Sequence, residues 1–113
     1  MGWSRKRPWS NAVPTVADGI RFRSGLESRV YVLLKATLVS GDAMFYAPRF
    51  PLIGVAPLER HKPLYFTPDF VIRRRDRTVE VYDAKSGRVS RDWARGKAMF
   101  QESYGWEVRE VKA

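Results

Sequence analysis

Two carboxylates and a lysine lie within a short span of this 113-residue chain: Asp69 in YFTPDFVI, then Asp83 and Lys85 in VEVYDAK. Carboxylates on neighbouring strands can share a divalent cation. All-oxygen ligands select a hard ion, Mg²⁺ or Mn²⁺, over zinc. Such an ion polarises a phosphodiester, offsets charge in the transition state and makes a bound water more acidic. Asp69 and Asp83 are the ligand candidates, and the Ala84 carbonyl can add one more oxygen. Lys85 is placed to orient or deprotonate the water and to offset phosphate charge. Glu27, farther upstream, is a third candidate carboxylate.

These residues need elements to hold them. Residues 65–73 read as a strand with Pro68 near its middle. A proline there costs a ladder hydrogen bond and suggests a kink beside Asp69. Arg73 to Arg77 makes a basic turn, which is either a second DNA contact or a solvated turn. Thr78 to Lys85 is the next strand. Alternation puts Val79, Val81, Asp83 and Lys85 on one face and Glu80, Tyr82 and Ala84 on the other. The change from Val-x-Val to Asp-x-Lys predicts a strand leaving the core for a cleft, and it selects Asp83 over Glu80.

Upstream, Ile20 to Arg23 is a short extended piece. Ser24-Gly25-Leu26-Glu27 matches a capping box, in which Ser caps the helix and Glu reaches back. The spacing predicts a helix to about Val39, with Leu26, Val30, Leu33, Leu34, Thr37 and Leu38 on one face. Glu27 sits at the edge of that face. A capping role and an inward-aimed metal carboxylate both fit it. Residues 43–53, with prolines at 48 and 51, predict an edge or bulged strand. His61 lies in the following loop. Ser90 caps a second helix that ends at Tyr104 with Gly105 beyond. Trp93, Phe100 and Tyr104 form its apolar face, and Lys97 and Gln101 lie at that face's edge. Residues 106–111 alternate as a last strand. The expected fold is therefore α/β, a mixed sheet flanked by helices in the order α-β-β-β-α-β.

Composition narrows the function. The net charge is +9, with 21 Lys+Arg against 12 Asp+Glu. A small basic domain of pI near 10.4 most often meets a polyanion, nucleic acid above all. There is no cysteine and one histidine, which excludes a disulfide framework, a thiolate zinc site and a histidine-rich metal site. The most apolar run, Val30 to Val39, is too short to span a bilayer. No apolar segment follows the basic start, so no signal peptide is read and a cytoplasmic protein is expected. Residues 1–16 read as a basic arm outside a single domain at 17–113. Arg5, Lys6 and Arg7 lie there between Trp3 and Trp9, which can stack on bases or dock on the domain.

The ordered set Glu27, Pro68-Asp69 and Asp83-Ala84-Lys85 resembles the PD-(D/E)XK nuclease superfamily. The surrounding sequence is similar to small phage-associated members. Their helix begins with F-x-S-x-x-E, here Phe22 to Glu27. An RFPL strand follows, here Arg49 to Leu52. An aromatic with T-x-D-F comes next, here Phe66 to Phe70. The resemblance covers Asp18 to Lys112. Two departures are Phe66, where many members have tyrosine, and Asp83, where many have glutamate, which shortens the reach. The resemblance implies a restriction-endonuclease-like core. It implies Asp69 and Asp83 as metal ligands, Glu27 as a further acidic site residue and Lys85 as the catalytic lysine. It also makes Lys97 and Gln101 auxiliary candidates.

The expected function is a Mg²⁺-dependent DNA endonuclease acting on branched DNA or on phage replication and recombination intermediates, inside the host cell of a phage. Four-way junctions need two cuts, which implies a homodimer. Arg5, Lys6, Arg7, Arg21, Arg23, Arg88 and Arg91 are candidate DNA contacts. The alternative is a non-catalytic DNA-binding or architectural protein on the same fold.

Overall fold

A computed structural model describes residues 15–52, 64–85 and 90–112. The main sheet has four strands: β3 (Ala43–Tyr46), β6 (Phe70–Arg73), β7 (Val79–Ala84) and β8 (Val108–Val111), in the spatial order β3-β6-β7-β8. The first three pair antiparallel, and β8 runs parallel to β7. The parallel pair requires a crossover, supplied by helix α2 (Arg91–Tyr104). Helix α1 (Gly25–Lys35) precedes the sheet. The expected α-β-β-β-α-β order holds for these elements, and the protein is a mixed α/β domain. Two short hairpins flank it. β1 (Thr15–Ala17) pairs with β2 (Ile20–Phe22), and β4 (Phe50–Pro51) pairs with β5 (Tyr65–Phe66).

Alternation along the central strands divides the interior in two. Phe70 and Ile72 of β6 join Phe22, Val30, Tyr31 and Leu34 on the α1 face. Val71 of β6 and Val81 of β7 join Leu52, Phe66, Phe100 and Val108 on the α2 face. Both sheet faces are thus covered, and charged groups brought to the sheet must find partners or a cleft. Helix α2 packs on β5, where a Cβ at Gly96 would make an ordinary contact, 3.4 Å from the Phe66 ring.

Several sequence expectations need correction. Thr15 and Val16, assigned to the N-terminal arm, form β1 with Ala17. Helix α1 stops at Lys35, not Val39: the Thr37 hydroxyl donates to the Leu34 carbonyl at 2.7 Å, and the Thr37 and Leu38 amides make three-residue turns. Its buried face is Glu27, Ser28, Val30, Tyr31 and Leu34, while Leu33 is exposed, because Phe22 of β2 packs on Tyr31 at 4.9 Å. The strand expected over 43–53 is broken between β3 and β4, where Ala47 has φ 53°. The strand expected over 65–73 likewise divides around buried Pro68, as the predicted kink required. Strand β8 begins at Val108, two residues later than alternation suggested. Among the described residues no helix is long and apolar enough to cross a membrane.

Candidate active site

The break at Pro68 turns Asp69 toward the end of β7. There the Asp69 amide donates to Asp83 Oδ1 at 3.1 Å, and the Ala84 amide donates to Asp69 Oδ2 at 2.8 Å. Each aspartate is thus fixed by the other's strand. Asp69 is 7% exposed and Asp83 3%. Asp83 follows Val81 on the α2 face, as alternation predicted, and Glu80 points the other way to Arg74. Lys85 Nζ lies 2.6 Å from Asp83 Oδ2.

Glu27 arrives from the first turn of α1. The Ser24 hydroxyl accepts from the Glu27 amide at 3.2 Å, the forward half of the capping box. The return half differs from expectation. Glu27 Oε1 accepts from the amide of Arg23, one residue earlier than the cap, at 3.2 Å, and from the Tyr46 hydroxyl at 2.6 Å. Burial and then the Glu27 carboxylate push the Tyr46 phenol up, which keeps it a donor. Glu27 therefore caps its helix and also points into the site.

Arg23 joins the two halves. Its Nη2 lies 3.0 Å from Glu27 Oε2 and 2.9 Å from Asp69 Oδ1. The three carboxylates follow one rule. One oxygen is anchored by an N–H or O–H donor, and the other faces a cation: Arg23 for Glu27 and Asp69, Lys85 for Asp83. Even so, burial and the charge of Asp83 push the Asp69 carboxyl up to about 7, against the opposing Ala84 amide and Arg23. The site carries more negative charge than its own cations neutralise.

The donor set fits a hard divalent cation: three carboxylates, each with one oxygen held and one presented. Among the described residues no three His, Cys, Asp or Glu side chains are gathered closely enough to hold a metal as they stand. The guanidinium of Arg23 lies between Glu27 and Asp69 instead, so Arg23 is an internal counter-ion. Its side chain is 59% exposed, so this expected DNA contact is paired with carboxylates and still open to solvent. The Ala84 amide is the one that holds Asp69.

The two auxiliary candidates have partners on β8. Lys97 pairs with Glu110 at 2.9 Å, and Gln101 Oε1 accepts the Val108 amide at 2.8 Å, fixing the start of β8. Glu110 was missed by sequence reasoning. It lies opposite Asp83 in the parallel register, and Val108-x-Glu110 repeats the Val81-x-Asp83 pattern that marks a strand leaving the core. Lys97, Lys85 and Lys112 hold its carboxyl below the usual range, after Lys97's hydrogen bond. Of the expected DNA contacts, Arg21 and Arg91 are exposed. Arg5, Lys6, Arg7, Arg88, His61, Trp3 and Trp9 lie outside the described residues.

A family model described as a protein of unknown function, DUF1064, matches residues 9–112, and the chain belongs to that family. No curated protein and no solved structure matched the chain.

Proposed function

We propose that this protein is a divalent-metal-dependent deoxyribonuclease built on a restriction-endonuclease-like core, with Asp69, Asp83, Glu27 and Lys85 as its site. One observation carries the reading. Three carboxylates each have one oxygen anchored by a donor and the other turned toward a cation, and two of the three belong to an interlocked buried pair. A protein that only bound DNA would have no use for buried carboxylates beside a phosphate, where they repel it.

The oxygens now paired with Arg23 and Lys85, namely Asp69 Oδ1, Asp83 Oδ2 and Glu27 Oε2, are the ones that would hold Mg²⁺ or Mn²⁺. The ion would supply Lewis acidity at the phosphoryl oxygen and a more acidic water. Asp69 and Asp83 hold their positions through backbone amides on each other's strand, so little reorganisation is needed during reaction. Lys85 supplies a positive charge beside Asp83 for the phosphate and for the attacking water. Arg23 is mostly exposed and so is free to leave the carboxylates when a stronger cation arrives. The net charge of +9 favours DNA, and the small size favours structure over sequence as the recognised feature. Branched DNA, cut by a homodimer, is the preferred substrate.

The test incubates the protein with supercoiled plasmid and with a synthetic four-way junction, in Mg²⁺ or in EDTA. Mg²⁺-dependent cutting that EDTA abolishes is expected. Folded protein that cuts neither substrate contradicts the proposal, and tight binding without cutting selects the architectural alternative.

A further inference from the structure

We propose that Trp93 is the positioning residue for the Lys85 ammonium, an inference that rests on the nuclease reading and adds a member to its site. Lys85 has a long flexible stem, and one carboxylate contact does not fix its direction. The Lys85 Nζ also lies 3.6 Å from the centroid of the Trp93 ring. An electron-rich indole face attracts a cation at this separation, and its strength grows when the contact is shielded from water. The Lys85 side chain is only 16% exposed. Asp83 and the indole thus leave the ammonium few other directions.

Trp93 is itself well placed for this. It stands in the first turn of α2, where the Ser90 hydroxyl accepts its amide at 3.0 Å. Its ring packs 6.1 Å from that of Phe66, which belongs to the core. One turn further along, Lys97 reaches within 5.6 Å of the same ring and is tied to Glu110. Glu110 faces Asp83 across the parallel ladder. The indole therefore lies between two lysines, one paired with Asp83 of β7 and the other with Glu110 of β8. Ordinary packing does not require lysines on an aromatic face. Here they fix the direction of the one that follows Asp83.

The test has two readouts. The first is the ε-methylene signal of Lys85 in a carbon–proton correlation spectrum, identified by its loss in Lys85→Arg. Ring current from Trp93 shifts it upfield in the parent protein. The shift persists in Trp93→Phe and disappears in Trp93→Leu, which stays apolar but has no π face. The second is Mg²⁺-dependent cleavage of the plasmid. Trp93→Leu loses turnover by about a hundredfold, as expected of a misplaced catalytic group, with KM for DNA little changed. Trp93→Phe recovers most of that loss. An unshifted Lys85 signal in the parent, or full turnover in Trp93→Leu, overturns the proposal. If the parent cuts no DNA, the nuclease reading fails by itself, and the Lys85 signal still decides whether Trp93 holds the lysine.

Discussion

The two ends of the β6–β7 hairpin are both crowded with charge, and they solve it differently. At the turn end, Arg74 lies between Asp42 and Glu80. It donates to Asp42 Oδ2 at 2.9 Å, to both Glu80 oxygens at 2.8 and 3.1 Å, and to the Thr37 carbonyl and hydroxyl at 3.2 and 3.1 Å. Each guanidinium nitrogen has an acceptor. The Val39 amide and Arg74 hold Asp42 below the usual carboxylate range, and the Arg74 hydrogen bond does the same for Glu80. At the open end, Asp69 and Asp83 lie side by side, and Asp69 is pushed up to about 7. The first arrangement is complete and ties the segment after α1, the turn and β7 together. The second is anchored but unbalanced, with two carboxylates side by side. Charge density alone does not mark a candidate site; a surplus of one sign held rigidly in place does.

Asp83→Asn is expected to lower Mg²⁺-dependent plasmid cleavage by at least about a hundredfold. Arg74→Ala should leave cleavage close to the parent's at a temperature where both are folded. A cleavage loss in Arg74→Ala matching that in Asp83→Asn would erase the distinction. Stability should divide the other way. Arg74→Ala strands two carboxylates and is expected to lower Tm by about 4–8 °C. Asp69→Asn, measured at pH 8 without metal, should leave Tm unchanged or raise it, because it relieves like-charge repulsion with Asp83.

A smaller effect follows from acidity. Asp69 binds its proton more tightly when folded, at about 7, than in the unfolded chain near 3.8. Its contribution to stability is therefore full below about pH 4 and is lost as pH rises through about 7. The groups around it are Asp83 and Glu27, which raise its pKa, and Arg23 with the Ala84 amide, which lower it; Lys85 lies beyond Asp83. In metal-free buffer Tm should fall between pH 5 and 8, and Asp69→Asn should flatten that fall. Mg²⁺ should raise Tm more at pH 8 than at pH 5.5. Equal metal effects at both values would count against Asp69 as a ligand. The smallest effect concerns the internal counter-ion. Arg23→Gln should tighten Mn²⁺ binding by about two- to fivefold by calorimetry, the range of a partly exposed ion pair. Weaker binding would mean that Arg23 organises the carboxylates and does not compete for them.

Much of the site was legible in local sequence because local rules govern it. Alternation over Val79 to Lys85 set the face of Asp83, and Ser24, Ser90 and Gly105 marked helix ends that the structure keeps. Pro68 announced the break that frees Asp69. What escaped depends on partners distant in the chain. Arg23 reads as a basic residue beside a helix cap, but its acceptor Asp69 is 46 residues away. Leu33 fits an apolar stripe by spacing, but the β1–β2 hairpin covers the side of α1 that carries Tyr31. Glu110 carried a signal, since its strand repeats the valine-to-acid change. Only the parallel register of β8 puts it opposite Asp83.

The most direct measurement is paramagnetic broadening by Mn²⁺, because it detects weak binding and reports position. Substoichiometric Mn²⁺ is titrated into nitrogen-15-labelled protein at pH 7.5, and amide signals are followed by residue. The two-ended account predicts that Asp69, Ala84 and Lys85 broaden first, that Arg77 and Thr78 at the turn stay sharp, and that Asp83→Asn removes the effect. Broadening centred on the turn, or spread evenly over the surface and unchanged in Asp83→Asn, would contradict it.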